Sequence, residues 1–288
     1  MKHALIFILS HMPVLLFSNW ELLLEQYHHA MSENTYQVLM KQYQDFNAGK
    51  APIIADPRIK EISIQECNEE LVDVKTVRHP RITVMDGQEL VEAHASVEDI
   101  DPRSPQHSKM RKGVFECLTR MITELDRLAP LFGYEPGDLE IRLFEGLRDI
   151  ATQKQLFDTT LESIMKNNPT MTHEEAYRET SQWVSPYINN VPVHTTGAAI
   201  DIHLWNKKTH TFCDMGRFNR DTVAPTFTNY NLLTPQQCKN RLLFTIAATQ
   251  AGLTNYVYEF WHFSYGDRYA SYWRESHPAL RSAIYGSV

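Results

Sequence analysis

Two short stretches of this chain carry the side chains best suited to chemistry. Val193-His194-Thr195-Thr196-Gly197-Ala198-Ala199-Ile200-Asp201-Ile202-His203-Leu204 offers two imidazoles, a carboxylate and a glycine-hinged turn. Tyr258-Glu259-Phe260-Trp261-His262-Phe263 adds a second carboxylate and a third imidazole. Together they suit one open metal site. A catalytic zinc takes three protein ligands and keeps its fourth position for water. The metal acidifies that water and polarises a carbonyl. A nearby carboxylate can take the water's proton and pass it to a leaving amine, and a cation or strong donor must steady the oxyanion. His194, Asp201 and His262 are the candidate ligands, Glu259 the candidate base and Arg148 the candidate cation.

Spacing alone leaves other readings open. A His and an Asp separated by six residues is a weak signal, and E-x-x-H is commoner still. His194 in a loop could simply be solvated or hydrogen-bonded. Asp201 lies between apolar neighbours on a strand and needs a partner. His203 shares its face and competes with it as a ligand. Glu259 sits among aromatics, where desolvation would raise its pKa as suits a base; an ion pair is the competing explanation. Arg148 could pair with Glu145 or Asp149. On a plain strand Glu259 and His262 would point to opposite faces, so a bend near Trp261 is required.

The elements that must position these residues can be read from the pattern. Ile200, Ile202 and Leu204 alternate with Asp201 and His203, which predicts a strand with Asp201 on the face away from the core. Leu139 to Leu143 alternates likewise and runs into Glu145-Gly146-Leu147-Arg148-Asp149, where the glycine turns the chain. Leu253 to Phe263 reads as a last strand. Short strands are expected at Ile62–Ile64, Leu71–Val74 and Arg81–Val84. Val114, Leu118, Met121, Leu125 and Leu128 step at helical intervals, predicting a helix that ends near Pro130 and Gly133. A helix begins at about Ile150. Thr172 with Glu175, and Thr234-Pro235-Gln236-Gln237, are capping boxes for two more. Residues 19 to 46 read as two helices broken near Ser32, a helical arm that could cover the downstream domain. Glu92 to Lys109 reads as a long surface loop, as do Pro186–Pro192 and the polar stretch ending at Asn231. Strands and helices mix without regular alternation, so the expected class is α+β. The expected division is an N-terminal apolar segment and arm at 1–50 and a catalytic domain at 51–288.

Bulk properties narrow the function classes. With 288 residues, 43% hydrophobic, the chain can bury a sizeable core. A formal charge of −7 argues against nucleic acid as the main partner. The four cysteines form no C-x-x-C pair and read as buried free thiols, which favours a reducing compartment. Lys2 precedes an apolar run from Ala4 to Phe17 that is too short to span a bilayer. It has the length of a signal-peptide core but no clear cleavage site. Cytoplasmic residence is expected, with export as the alternative if roughly the first 18 residues are a signal peptide. No stable membrane insertion is expected.

Taken together, H-T-T-G-A-A-I-D, D-M-G and E-F-W-H-F-S-Y-G-D-R resemble the D-alanyl-D-alanine dipeptidases of the VanX type. These are zinc peptidases that share a fold with D-Ala-D-Ala carboxypeptidases and the hedgehog signalling domain. The resemblance covers roughly residues 60 to 275. It implies an α+β fold in which a small antiparallel sheet, flanked by helices, carries one zinc ion. It places the zinc ligands on His194, Asp201 and His262, the base on Glu259 and the transition-state arginine on Arg148. The implied substrate is D-Ala-D-Ala or a related cell-wall dipeptide. Longer peptidoglycan stem peptides, or a non-catalytic binding module retaining zinc, are the alternatives. Leu147 and Asp149 stand where the family's E-G-Y-R-P-like turn has Tyr and Pro, and Pro192-Val193 replaces Ser and a polar residue. Asn219, or Asp221 in its stead, falls nearest the acidic residue that holds the substrate amine.

Overall fold

The computed structural model describes residues 20–93, 103–216 and 226–288. The N-terminal apolar run, Asn219 and Asp221 therefore lie outside the described residues. In chain order the first elements are α1 (Trp20–Gln26), α2 (Glu33–Asn47), α3 (Pro57–Lys60), β1 (Ser63–Ile64), β2 (Leu71–Asp73), α4 (Val74–Val77) and β3 (Ile82–Val84). They continue with α5 (Gly87–Ala93), β4 (Lys109–Arg111), α6 (Lys112–Phe132), β5 (Leu139–Glu145), α7 (Ile150–Asn167) and α8 (His173–Trp183). The last are β6 (Ala199–Asn206), β7 (Thr211–Phe212), α9 (Pro235–Gln250), β8 (Thr254–Asn255), β9 (His262–Ser264), α10 (Arg268–Arg274) and β10 (Ser282–Ala283).

The class is α+β. The main sheet runs β3-β5-β6-β9-β8, with β7 on the far end of β6. Every pairing in it is antiparallel except β3 with β5. The alternation on β6 does what the pattern required. Ile200, Ile202 and Leu204 enter the main core beside Ile141 and Leu143 of β5. The stripe of α6 covers that face, with Val114, Leu118, Met121, Leu125 and Leu128 all fully buried. Each such side chain contributes about 2 kcal/mol by leaving water. Helix α9 packs beside α6. It starts where Thr234 accepts from the Gln237 amide and Gln237 reaches back, a complete capping box. Helices α7 and α8 form a hairpin with a small core of Leu156, Phe157 and Val184.

The helical arm is part of the main core rather than a cover over the site. Trp20, Leu24, Leu39 and Tyr43 join the same apolar cluster as the sheet. Gln42 Nε2 donates to the Asn255 carbonyl at 2.9 Å. No described residue between 20 and 49 lines the main cleft.

The stretch read as a surface loop from 92 to 109 is corrected at both described ends. Helix α5 runs through Ala93, and residues 103–108 pass under the Gly146 turn with Ser104 and Ser108 buried. The Gly146 and Leu147 amides donate to the His107 and Lys109 carbonyls, each at 2.7 Å. A polar segment is buried here because distant backbone groups satisfy it. Of the cysteines, Cys117, Cys213 and Cys238 are buried thiols as expected, whereas Cys67 is exposed.

This packing has two measurable consequences. A Cβ on Gly146 would stand 2.3 Å from the Lys109 carbonyl oxygen. Gly146→Ala is therefore expected to cost roughly 1–3 kcal/mol, read as a lower midpoint of urea unfolding. Asp267 caps α10, its Oδ1 accepting from the Ala270 amide at 2.7 Å and the Ser264 hydroxyl at 2.9 Å. Its Oδ2 accepts no hydrogen bond among the described residues. Burial pushes this carboxyl from 3.8 up to about 6. The folded state then holds the Asp267 proton more tightly than the unfolded chain does. This group's contribution to stability must fall as pH rises from about 4 to about 6, by on the order of 2–3 kcal/mol. Asp267→Asn keeps a capping oxygen and is expected to remove that decline in urea titrations across the same range. An unchanged pH profile would contradict it.

Candidate active site

The sheet register assembles the site. Asp201 on β6 stands directly opposite His262 on β9, and Glu145 on β5 stands opposite Asp201. Cross-strand partners share a face, so Glu145, Asp201 and His262 form a row on the side away from the core. His194 arrives from the turn Val193–Thr196, which ends at Gly197 with φ 70°. That left-handed residue folds the imidazole back over β6, a conformation that glycine adopts without strain.

Glu259 is placed by a feature that the sequence pattern misrepresents. Leu253 to Phe263 is not one strand but a hairpin, with β8 and β9 antiparallel and a turn between them. The turn has no glycine and no positive φ. It is held by the Asn255 side-chain amide, which donates to the Glu259 and His262 carbonyls at 3.2 and 3.1 Å. The Glu259 amide closes it on the Tyr256 carbonyl at 2.8 Å. This is the bend that lets Glu259 and His262 address the same space.

The donor atoms converge. His194 Nδ1 lies 2.9 Å from the Gly146 carbonyl. A carbonyl can only accept, so Nδ1 carries the proton and Nε2 presents its lone pair. His194 Nε2 is 3.2 Å from His262 Nδ1 and 3.4 Å from Asp201 Oδ2. His262 Nδ1 is 3.0 Å from Asp201 Oδ1, yet that oxygen accepts no hydrogen bond among the described residues. Ligands on a tetrahedral ion at 2.0–2.1 Å stand about 3.3 Å apart. The triangle therefore fits one small divalent ion, and the unsatisfied carboxylate oxygen points to the same conclusion. These three form the one group of potential metal donors among the described residues.

Electrostatics agree. Burial alone would raise the Asp201 carboxyl, but the electrostatic pull of the neighbouring His194 and His262 imidazoles outweighs it. They hold Asp201 well below the usual carboxylate range. Burial, only partly offset by Asp201, pushes His262 down, toward the neutral form that can ligate. Glu259 Oε2 lies 3.6 Å from His262 Nδ1. Its side chain is 14% exposed against 5–6% for the three donors, so it is the most open of the four groups to the cleft that they all line.

Arg148 joins them through its backbone and its partners. Its amide donates to the His194 carbonyl at 3.1 Å. Its guanidinium donates to Glu145 Oε2 at 2.8 Å and to Gln153 Oε1 at 3.1 Å. The pairing with Glu145 is thus real, and it fixes an arginine that also lines the cleft. Leu147 is buried, and Asp149 caps α7 by accepting from the Thr152 amide at 2.9 Å. Both unusual residues of this turn therefore have structural roles. Gln153 is not foreshadowed in the sequence; a lone glutamine on a mixed helix carries no signal.

His203 lines the cleft but stays outside the donor group, edge-on to Phe212 and Phe260 at 5.9 Å. The cleft holds about 930 Å³ and extends from the donors along α7 and α8, past Thr160, Ser163, Asn167 and Trp183. Asp214 also lines it, its carboxylate accepting from the Gly216 amide and the Gln237 side chain. No helix among the described residues is long and apolar enough to cross a membrane.

Comparison with known proteins supplies the family. Residues 139–281 match the family model for D-Ala-D-Ala dipeptidases, a span that contains Arg148, His194, Asp201, Glu259 and His262. A D-alanyl-D-alanine dipeptidase of Synechocystis sp. is 28% identical over 253 residues, covering 79% of this chain and 95% of that one. Among solved structures, that of the LdcB LD-carboxypeptidase, described for its peptidoglycan recognition, aligns over 67% of this chain and 84% of its own. The identity there is 17% and the TM-score 0.33. Residues 139–281 thus match a D-Ala-D-Ala dipeptidase domain, and the chain is similar along most of its length to a D-alanyl-D-alanine dipeptidase.

Proposed function

We propose that this chain hydrolyses D-Ala-D-Ala or a related cell-wall dipeptide, with His194, Asp201 and His262 holding one zinc ion. The observation that carries this reading is the buried triangle of donors with the Glu259 carboxylate beside it. When bound there, zinc supplies Lewis acidity, which acidifies water and polarises the scissile carbonyl. Glu259 takes the proton of the attacking water at its carboxylate and hands it to the departing amine. Arg148, held by Glu145 and Gln153, directs positive charge at the developing oxyanion. Asn219 and Asp221 remain the proposed contacts for the substrate's free amine.

Trimming of longer stem peptides is a second reading, and one observation favours it. A cleft of about 930 Å³ running along α7 and α8 is far larger than a dipeptide needs.

Two measurements test the proposal. Metal analysis with a D-Ala-D-Ala hydrolysis assay, with and without chelator, is expected to show one zinc per chain and activity lost on chelation. Metal-replete protein inactive on a panel of D,D and L,D dipeptides and stem peptides would refute a peptidase. Activity on stems alone would select the second reading. In variants, Glu259→Ala is expected to retain zinc while losing about 10²–10⁴-fold in kcat. His262→Ala is expected to lose the metal itself. Glu259→Ala with undiminished hydrolysis would remove Glu259 from the role of base.

A further inference from the structure

The His194 turn is bonded to the turn after β5 at Gly146 and Arg148, and to the C-terminal segment at Ser287 and Val288. A further anchorage comes from Arg111, at the junction of β4 and α6. The Arg111 side chain is 6% exposed. It does not cap α6, whose first amides are met instead by the Glu70 carbonyl and the Glu69 carboxylate. The guanidinium faces the other way. Nε donates to the Thr196 carbonyl at 2.8 Å and Nη1 to the Glu69 carbonyl at 2.7 Å. Nη2 reaches Glu66 Oε2 at 3.1 Å and the Gly286 carbonyl at 3.2 Å, and the Tyr285 ring lies 5.1 Å from the guanidinium carbon. The Arg111 amide donates to the Gly197 carbonyl at 2.8 Å. One residue thus grips two successive carbonyls of the turn that carries His194. It ties them to two segments distant in sequence, residues 66–69 and 285–286. A Cβ on Gly197 would stand 3.4 Å from the Arg111 nitrogen and 3.1 Å from Leu71 Cδ2, so turn and arginine are in close contact.

We propose that Arg111 is a positioning residue that fixes the His194 turn, and through it the angle at which His194 Nε2 meets the other two donors. Its effect on zinc rests on the reading of His194 as a ligand; its effect on the turn does not. Only a planar fork can serve four acceptors spread in this way, and a lysine ammonium cannot span them. Groups that orient a ligand without touching the metal typically change affinity 10- to 100-fold.

The test uses the full chain and three variants. Arg111→Met removes the grip. Arg111→Lys keeps the charge and serves if the methionine variant does not fold. Arg81→Met is the control for general destabilisation, because Arg81 bridges Asp126 and the Leu139 carbonyl at the end of β5 away from Glu145. Zinc affinity is read by chelator competition, and amide exchange across residues 193–198 is read in metal-free protein. The expected result is at least a tenfold loss of zinc affinity in Arg111→Met and a smaller loss in Arg111→Lys. Faster exchange confined to the turn should accompany both, with neither change in Arg81→Met. Arg111 variants with wild-type affinity, or with wild-type exchange in the turn, overturn the proposal. Wild-type protein that binds no zinc refutes the metal reading of His194, and the exchange measurement alone then decides whether Arg111 fixes the turn.

Discussion

The site depends on one cross-strand pair. Asp201 and His262 face each other across β6 and β9, buried, with donor atoms 3.0 Å apart. A buried carboxylate is tolerated only where something compensates its charge. Here two imidazoles converge on it, and the rest of the molecule arranges their convergence. The core face of β6 fixes the strand, so Asp201 cannot turn inward without exposing Ile200 and Ile202. The Gly197 turn brings in His194, and the Gly146 carbonyl sets which nitrogen it offers.

Rigid and adjustable parts are separated. Asp201 and His262 lie on paired strands, and His194 is bonded to Gly146 and Arg148 on a turn that Arg111 also holds. Glu259 instead rides on the hairpin turn, partly open to the cleft. Such a division suits hydrolysis, in which donors must stay fixed while a base exchanges protons with water and substrate.

Much of this was legible in the sequence, for identifiable reasons. The β6 alternation, the α6 stripe and the capping boxes at Thr172 and Thr234 are local patterns, and each produced the expected element. The Glu259 hairpin was not legible, because its turn is stabilised by the Asn255 amide rather than by glycine or proline. The burial of Ser104 and Ser108 was hidden for a related reason. Their surroundings are polar, and only distant partners such as Glu145, Asp149 and Val74 make the interior habitable for them. The helical arm was found as helices, but its place in the core could not be read, since its apolar stripe names no partner.

The row across the sheet has a consequence for how the protein responds to its surroundings. Glu145, Asp201 and Glu259 bring three carboxylates close together, and Arg148 answers one of them. A divalent ion bound among them, as proposed, would offset part of that crowded negative charge. If the site holds the proposed ion, its occupancy would be linked to the folding equilibrium as well as to turnover. The resistance of the chain to unfolding would then become a gauge of the free metal around it.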